Sequence, residues 1–145
     1  MALTGTYSRN LDDKKRLAVP KRLRDEFGDN ELTSLYVAPG TDRSLALYSP
    51  AAFDRLANEI AQRPANREDV RNYLRLFYAR AEKVDLDSQG RIRIPDRLAD
   101  LARLDRDVVL LGVHDHAEIW DAKIWEDFLA IRGPEFDVIA SQAFQ

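Results

Sequence analysis

The sequence writes one plan twice, and that limits the fold more than any other feature. Leu11-Asp12-Asp13-Lys14-Lys15-Arg16-Leu17-Ala18-Val19-Pro20-Lys21-Arg22-Leu23 returns 75 positions later as Leu86-Asp87-Ser88-Gln89-Gly90-Arg91-Ile92-Arg93-Ile94-Pro95-Asp96-Arg97-Leu98. Each copy reads D-x-x-x-R and then apolar-x-apolar-Pro. A repeat of this kind is usually the architecture itself.

Each copy predicts a turn, a strand and a short helix. Asp12 and Asp87 suit a turn, because an aspartate side chain can accept from the backbone two residues on. Gly90 suits a position with positive φ. Residues 17–19 and 92–94 alternate with the period of a half-buried strand. Pro20 and Pro95 end those strands and fit a helix start, predicting helices over 21–27 and 96–102. The first would keep Lys21, Arg22 and Arg24 exposed and Leu23 and Phe27 inward, and Gly28-Asp29-Asn30 would end it.

The matching continues. Val37-Ala38-Pro39-Gly40 aligns with Val109-Leu110-Leu111-Gly112, Leu45-Ala46-Leu47-Tyr48 with Ala117-Glu118-Ile119-Trp120, and Phe53 with Trp125. The offset there is 72, which puts three more residues in the first copy's 28–34 loop. Two strands and a helix therefore close each copy, the helices over 51–62 and 122–131. Ser49 is the expected N-cap of the first, with Pro50 at the first helical position. Between the copies, Pro64 breaks the chain. Asn66 is the expected cap of a helix over 67–80, with an apolar face of Val70, Tyr73, Leu74, Phe77 and Tyr78. Residues 133–145 mix apolar and polar side chains and predict no definite element.

On these residues the chain resembles the MraZ family, one of the AbrB-like, swapped-hairpin group of bacterial transcription factors. The resemblance runs over about residues 5–131. Its specific parts are Asn10-Leu11-Asp12 with Arg16-Leu17, Pro20 and Arg22; Leu45-Ala46-Leu47-Tyr48; Ala81-Glu82, Leu86-Asp87, Gly90-Arg91-Ile92 and Ile94-Pro95; and Glu118-Ile119-Trp120-Asp121. It implies a mixed β/α fold, mainly a β barrel. Two AbrB-like (SpoVT-AbrB type) repeats would form one pseudo-twofold, swapped-hairpin or double-psi-like barrel with short peripheral helices. The expected division is a first repeat over 5–50, connecting helices over 51–80, a second repeat over 81–124, and a helix end and tail over 125–145.

Size supports a shared core. The chain has 145 residues, and each repeat alone, about 50 residues, is marginal for an independent core. With no cysteine, disulfides and thiolate metal sites are excluded. No apolar run reaches the roughly 20 residues of a membrane span, and the start lacks a signal-peptide pattern. A cytoplasmic, nucleoid-associated protein is expected, with no cofactor.

The net charge of −3 hides an uneven distribution. Residues 1–25 carry Arg9, Lys14, Lys15, Arg16, Lys21, Arg22 and Arg24 against Asp12, Asp13 and Asp25, a local +4. Attraction to phosphate is set by such a patch and not by the total. The expected partner is double-stranded DNA, read by the first turn. Arg16 offers a planar fork that can meet guanine O6 and N7 together. Lys14, Lys15 and Arg9 would meet phosphates and base edges. The resemblance implies that Arg16 is the DNA-binding arginine. It also implies binding to repeated short boxes upstream of the division and cell-wall gene cluster, the protein's own gene included, and a closed homo-oligomeric ring that presents many turns together. Asp12 would brace the first turn. Asp87 and Arg91, with fewer basic neighbours, are expected to be structural. One departure stands out: the family's first copy usually has Gly where this chain has Lys15, and lysine tolerates positive φ poorly.

Two other classes compete. His114, His116 and Glu118 would share one face of a strand, as metal ligands could. By the repeat offset, however, both histidines fall in a hairpin loop opposite Asp42 and Ser44, and no H-E-x-x-H or phosphate-cradling Gly-rich loop occurs. The expectation is therefore no metal and no enzyme. Arg67, Arg71 and Arg75 form a solvated helix face or contact a subunit or phosphate. The remaining alternative is a protein-interaction or antitoxin-like module of the same barrel type.

Overall fold

The computed structural model describes residues 2–28 and 31–145; Met1, Asp29 and Asn30 lie outside the described residues. The first copy contributes β1 (Thr6–Asn10), β2 (Arg16–Ala18), α1 (Lys21–Glu26), β3 (Ser34–Pro39), β4 (Leu45–Tyr48) and α2 (Pro50–Ala61). Helix α3 (Glu68–Arg80) connects to the second copy: β5 (Glu82–Asp85), β6 (Arg91–Arg93), α4 (Asp96–Leu101), β7 (Asp107–Val113), β8 (His116–Asp121) and α5 (Ala122–Arg132). A 3-10 turn, Gly133–Glu135, leads into α6 (Phe136–Ala143).

The copies are interwoven. The main sheet has the order β1-β7-β8-β4-β3-β5, and β2 pairs with β6 in a separate ribbon. Every ladder is antiparallel. Each copy's first strand thus leaves its own copy and pairs with the third strand of the other. The second and fourth strands pair with their own equivalents, which describes a pseudo-twofold arrangement. Among the described residues no ladder joins β1 to β2 or β5 to β6, so the hydrogen-bonded strands do not run right round the core. The three-residue strands β2 and β6 end two residues before Pro20 and Pro95, and among the described residues each finds its ladder partner only in the other.

Burial follows from this weave. Leu17, Val19, Leu23, Ile92, Ile94 and Leu98 meet Leu35, Val37, Leu45, Leu47, Val108, Leu110 and Ile119 in one core between ribbon and sheet. Side chains from both copies fill it, as the small size of each copy requires. The opposite sheet face carries two smaller clusters. Ala38, Ala46 and Tyr48 pack on Phe53 of α2 and Phe77 of α3. Val109, Leu111 and Trp120 pack on Ile124 and Trp125 of α5.

Local signals held at most ends. Ser49 caps α2, its Oγ accepting from the Ala52 N–H at 3.1 Å, with Pro50 in the first turn. Asp121 does the same for α5, accepting from Lys123 and Ile124. Gly28 follows α1 with φ 83°; Asp29 and Asn30, expected to help end that helix, are outside the described residues. Asn66 does not cap α3: Arg67 sits at the cap position, and its side chain makes no capping bond. The tail, which carried no periodic signal strong enough to assign, is helical.

Register corrects the repeat alignment by one residue. Val37 lies opposite Leu47 and Leu110 lies opposite Ile119. Since Leu47 and Ile119 are the matched pair, Leu110 and not Val109 is the counterpart of Val37. A slip of one residue would turn the strand's buried face outward; Val37 and Leu110 are both fully buried in the shared core. The extra residues of the first copy are therefore divided between the loop before β3 and the hairpin after it.

Candidate nucleic-acid interface

The two D-x-x-x-R turns have one geometry. In the first, Asp12 Oδ1 accepts from the backbone N–H of Lys14 at 2.9 Å and of Arg16 at 2.8 Å. Its Oδ2 accepts from Arg16 Nε at 2.5 Å. In the second, Asp87 Oδ1 accepts from Gln89 and Arg91, both at 2.9 Å, and Oδ2 from Arg91 Nε at 2.8 Å. The spacing is explained by this bonding: one carboxylate closes the backbone turn and grips the arginine that opens the strand. The backbone N–H of the arginine is the chief reason that both carboxyls titrate below the usual carboxylate range, with the guanidinium adding to it against slight desolvation. Bonding to the charged form favours that form.

Because Nε is the nitrogen engaged, the terminal nitrogens of Arg16 form no hydrogen bond among the described residues. The side chain is about a third exposed and its guanidinium is oriented at its base, so it loses little freedom on meeting a ligand.

Lys15 adopts φ 58°, in the left-handed region, where its counterpart Gly90 has φ 74°. The turn is thus kept and the strain accepted. The Lys15 ammonium lies 3.0 Å from Asp96 at the start of α4, and this contact holds the Asp96 carboxyl below its ordinary range. The second turn is covered by an arginine from the first copy. Arg24 lies over Gly90, where an added Cβ would come within 2.7 Å of its guanidinium carbon, and its Nε donates to the Val19 carbonyl. Lys14 is exposed at the tip of the first turn.

Arg9 is engaged along its own strand. On β1 it donates to the Ser8 carbonyl at 2.7 Å and lies over the Tyr7 ring. The α3 arginines are occupied locally: Arg67 with Asp69, Arg71 with the Ala65 carbonyl, Arg75 with Asn72.

The ribbon adds residues that the sequence reading had not grouped with Arg16. Arg16 stands directly opposite Arg93, and Ala18 opposite Arg91. Leu17 and Ile92 point into the core, so Arg16, Arg91 and Arg93 share the outer face. Alternation places Arg91 and Arg93 on one face of β6; only the pairing of β6 with β2 brings that face beside Arg16.

The metal reading loses its geometric basis at the histidines. His116 opens β8 and does not lie in the loop. It stacks on Tyr48, with Nδ1 2.7 Å from Asp115 and Nε2 3.8 Å from Glu118. Its polar atoms are engaged with carboxylates, while His114 lies in the turn with φ 67°. Among the described residues no group of three or more ligating side chains is placed to hold a metal ion.

Two interwoven strand-turn-strand-helix copies, each with an aspartate-braced arginine turn, define a duplicated mixed β/α protein. Comparison with known proteins narrows that class. The family described as "MraZ protein, putative antitoxin-like" matches residues 2–76 and again 77–143. A "Transcriptional regulator MraZ" of Salinispora arenicola is 38% identical over 132 residues, 91% of this chain and 90% of the relative. That of Moorella thermoacetica is 33% identical over 138 residues, 95% and 94% of the two chains. That of Mycobacterium tuberculosis is 36% identical over 139 residues, 96% and 94%. The chain belongs to the MraZ family. This is a family of transcriptional regulators and not of enzymes, and transcription regulation is the role it supports here. No helix among the described residues is long and apolar enough to cross a membrane.

Proposed function

We propose that this protein binds double-stranded DNA sequence-specifically through the Asp12–Arg16 turn. The observation that carries the reading is the Arg16 guanidinium. Asp12 holds it by Nε, while its terminal nitrogens make no hydrogen bond among the described residues and the side chain is about a third exposed, next in sequence to Lys14 and Lys15. A fork held in that way suits the O6/N7 edge of guanine in the major groove. Lys14 and Lys15 supply phosphate contacts, Lys15 by exchanging Asp96 for phosphate. Arg9 reaches a phosphate only after leaving Ser8.

The site acts from a small barrel of swapped hairpins, divided as 5–50, 51–80, 81–124 and 125–145, with Asp87 and Arg91 bracing the second turn. One turn covers few base pairs. A closed homo-oligomeric ring that presents several turns to tandem boxes gains by effective concentration. The boxes lie upstream of the protein's own gene in the division and cell-wall cluster, and the protein acts in the cytoplasm at the nucleoid.

The test is fluorescence anisotropy of DNA from upstream of the protein's own gene, across a salt series, with wild type and Arg16→Ala. The expected result is tight, salt-sensitive binding that Arg16→Ala abolishes, with scrambled DNA bound poorly. Wild type that binds both DNAs alike sinks the reading and moves the antitoxin-like, protein-binding alternative to the front.

A further inference from the structure

Among the described residues the C-terminal helix packs chiefly on the short 3-10 turn before it. Helix α6 buries none of its residues. Phe136 is 71% exposed and Phe144 is 90% exposed, with Ile131, Val138 and Ile139 also open. An apolar patch of this kind marks an interaction surface. The internal repeat sharpens the anomaly. α3 follows α2 as α6 follows α5. Yet α3 packs down through Phe77, which stacks on Phe53 of α2 with ring centroids 6.0 Å apart. In the second copy the matching sheet face is covered by Trp125 and Phe128 of α5, stacked 5.3 Å apart, and α6 stands away from it.

The same chain carries a complementary surface. A cleft of about 210 Å³ opens between α3 and strands β3, β4 and β8, lined by Tyr48, Tyr73, Leu76, Phe77, Arg80 and Glu118. Tyr73 and Leu76 are 52% and 53% exposed at its rim. The segment that carries α3 and the C-terminal segment also differ in net charge. Residues 62–80 hold five arginines against Glu68 and Asp69, a local +3; residues 122–145 hold Glu126, Asp127, Glu135 and Asp137 against Lys123 and Arg132, a local −2.

We propose that α6 of one copy docks into the α3 cleft of the next, with Phe136 and Ile139 on Tyr73 and Leu76 and the acidic C-terminal segment facing the α3 arginines. The occupant is a second copy of this chain. This rests on the homo-oligomer reading above and names its contact. Cleft and helix are different surfaces, so the contact is heterologous and propagates head to tail. That geometry closes into a ring when the rotation permits. It also leaves the Asp12–Arg16 turn out of the contact.

The absence of cysteine makes the test clean. Leu76→Cys with Phe136→Cys in the full chain is treated with a short bismaleimide. Sedimentation velocity is measured on wild type, Phe136→Ser and Leu76→Asp. The expected result is a ladder of covalent oligomers in the double-cysteine variant. An equimolar mixture of the two single variants should give only dimers across the α6–cleft contact. Phe136→Ser and Leu76→Asp should each raise the dissociation constant of the assembly at least tenfold, with unchanged circular dichroism. A wild-type oligomer that neither substitution weakens, with no ladder, overturns the docking and leaves the oligomer standing. A wild type that sediments as a monomer at all concentrations overturns both.

Discussion

Lys15→Gly separates stability from binding at a single position. Lys15 is held at φ 58°, and the left-handed region costs an L-residue about 1–2 kcal/mol. Glycine removes that cost but loosens the unfolded chain, which takes back about 0.4–1 kcal/mol. The Lys15–Asp96 pair is lost too, but both side chains reach solvent, where such pairs contribute little. The net expectation is a gain of about 0.5–1 kcal/mol, read as a rise of about 2–3 °C in Tm for a chain of this size. The mirror change, Gly90→Lys, meets both the strain and the Arg24 guanidinium and should destabilise. If Lys15 contacts phosphate, the same Lys15→Gly variant binds DNA more weakly, with the salt slope reduced by about one. Urea unfolding and anisotropy on the same preparation read both effects. A Lys15→Gly variant less stable than wild type by more than about 1 kcal/mol would refute the strain argument, because the left-handed turn would then need the lysine.

Two further expectations follow from the core and the carboxylates. Ile92 is fully buried beneath the ribbon, and Ile92→Ala should cost about 2–5 kcal/mol in urea unfolding; a loss below about 1 kcal/mol would show that the ribbon unfolds apart from the sheet. For His116, Glu118 chiefly and Asp115 next hold the imidazole pKa above its ordinary value, against burial, which pulls it down. A raised folded pKa gives stability that is present below the unfolded value of about 6.5 and is lost as pH rises through the folded value. Stability measured from about pH 5.5 to 8.5 should therefore fall on the alkaline side, and His116→Gln should flatten that fall; an identical slope in the variant would assign it to another group.

Much of the local structure was legible in the residues, for local reasons. Asp12 and Asp87 specify their turns because one carboxylate reaches the backbone and side-chain donors of a residue four positions on. Ser49-Pro50 specifies the start of α2, and the alternation around Leu17 and Ile92 specifies short half-buried strands. The repeat itself pointed to the shared core, since neither copy could enclose one alone. Arg16, Lys14 and Lys15 stood out as a basic turn for the same reason: their neighbours in sequence are their neighbours in space.

What the sequence left open depends on contacts between distant segments. Pairing of β1 with β7 and β3 with β5 across the copies is decided by which apolar faces fit together in the common core. That fit also decided the one-residue register that makes Leu110 the partner position of Val37. Arg93 comes to lie opposite Arg16 because β6, among the described residues, pairs with β2 alone. His116 left the expected loop because β8 extends to stack it on Tyr48. Arg9 donates to its neighbour Ser8 and lies over Tyr7 on the same strand, a local contact. For the strand pairings, the register, Arg93 and His116, a backbone hydrogen bond or a packed face more than 20 residues away in sequence set the outcome, and no local pattern encodes that distance.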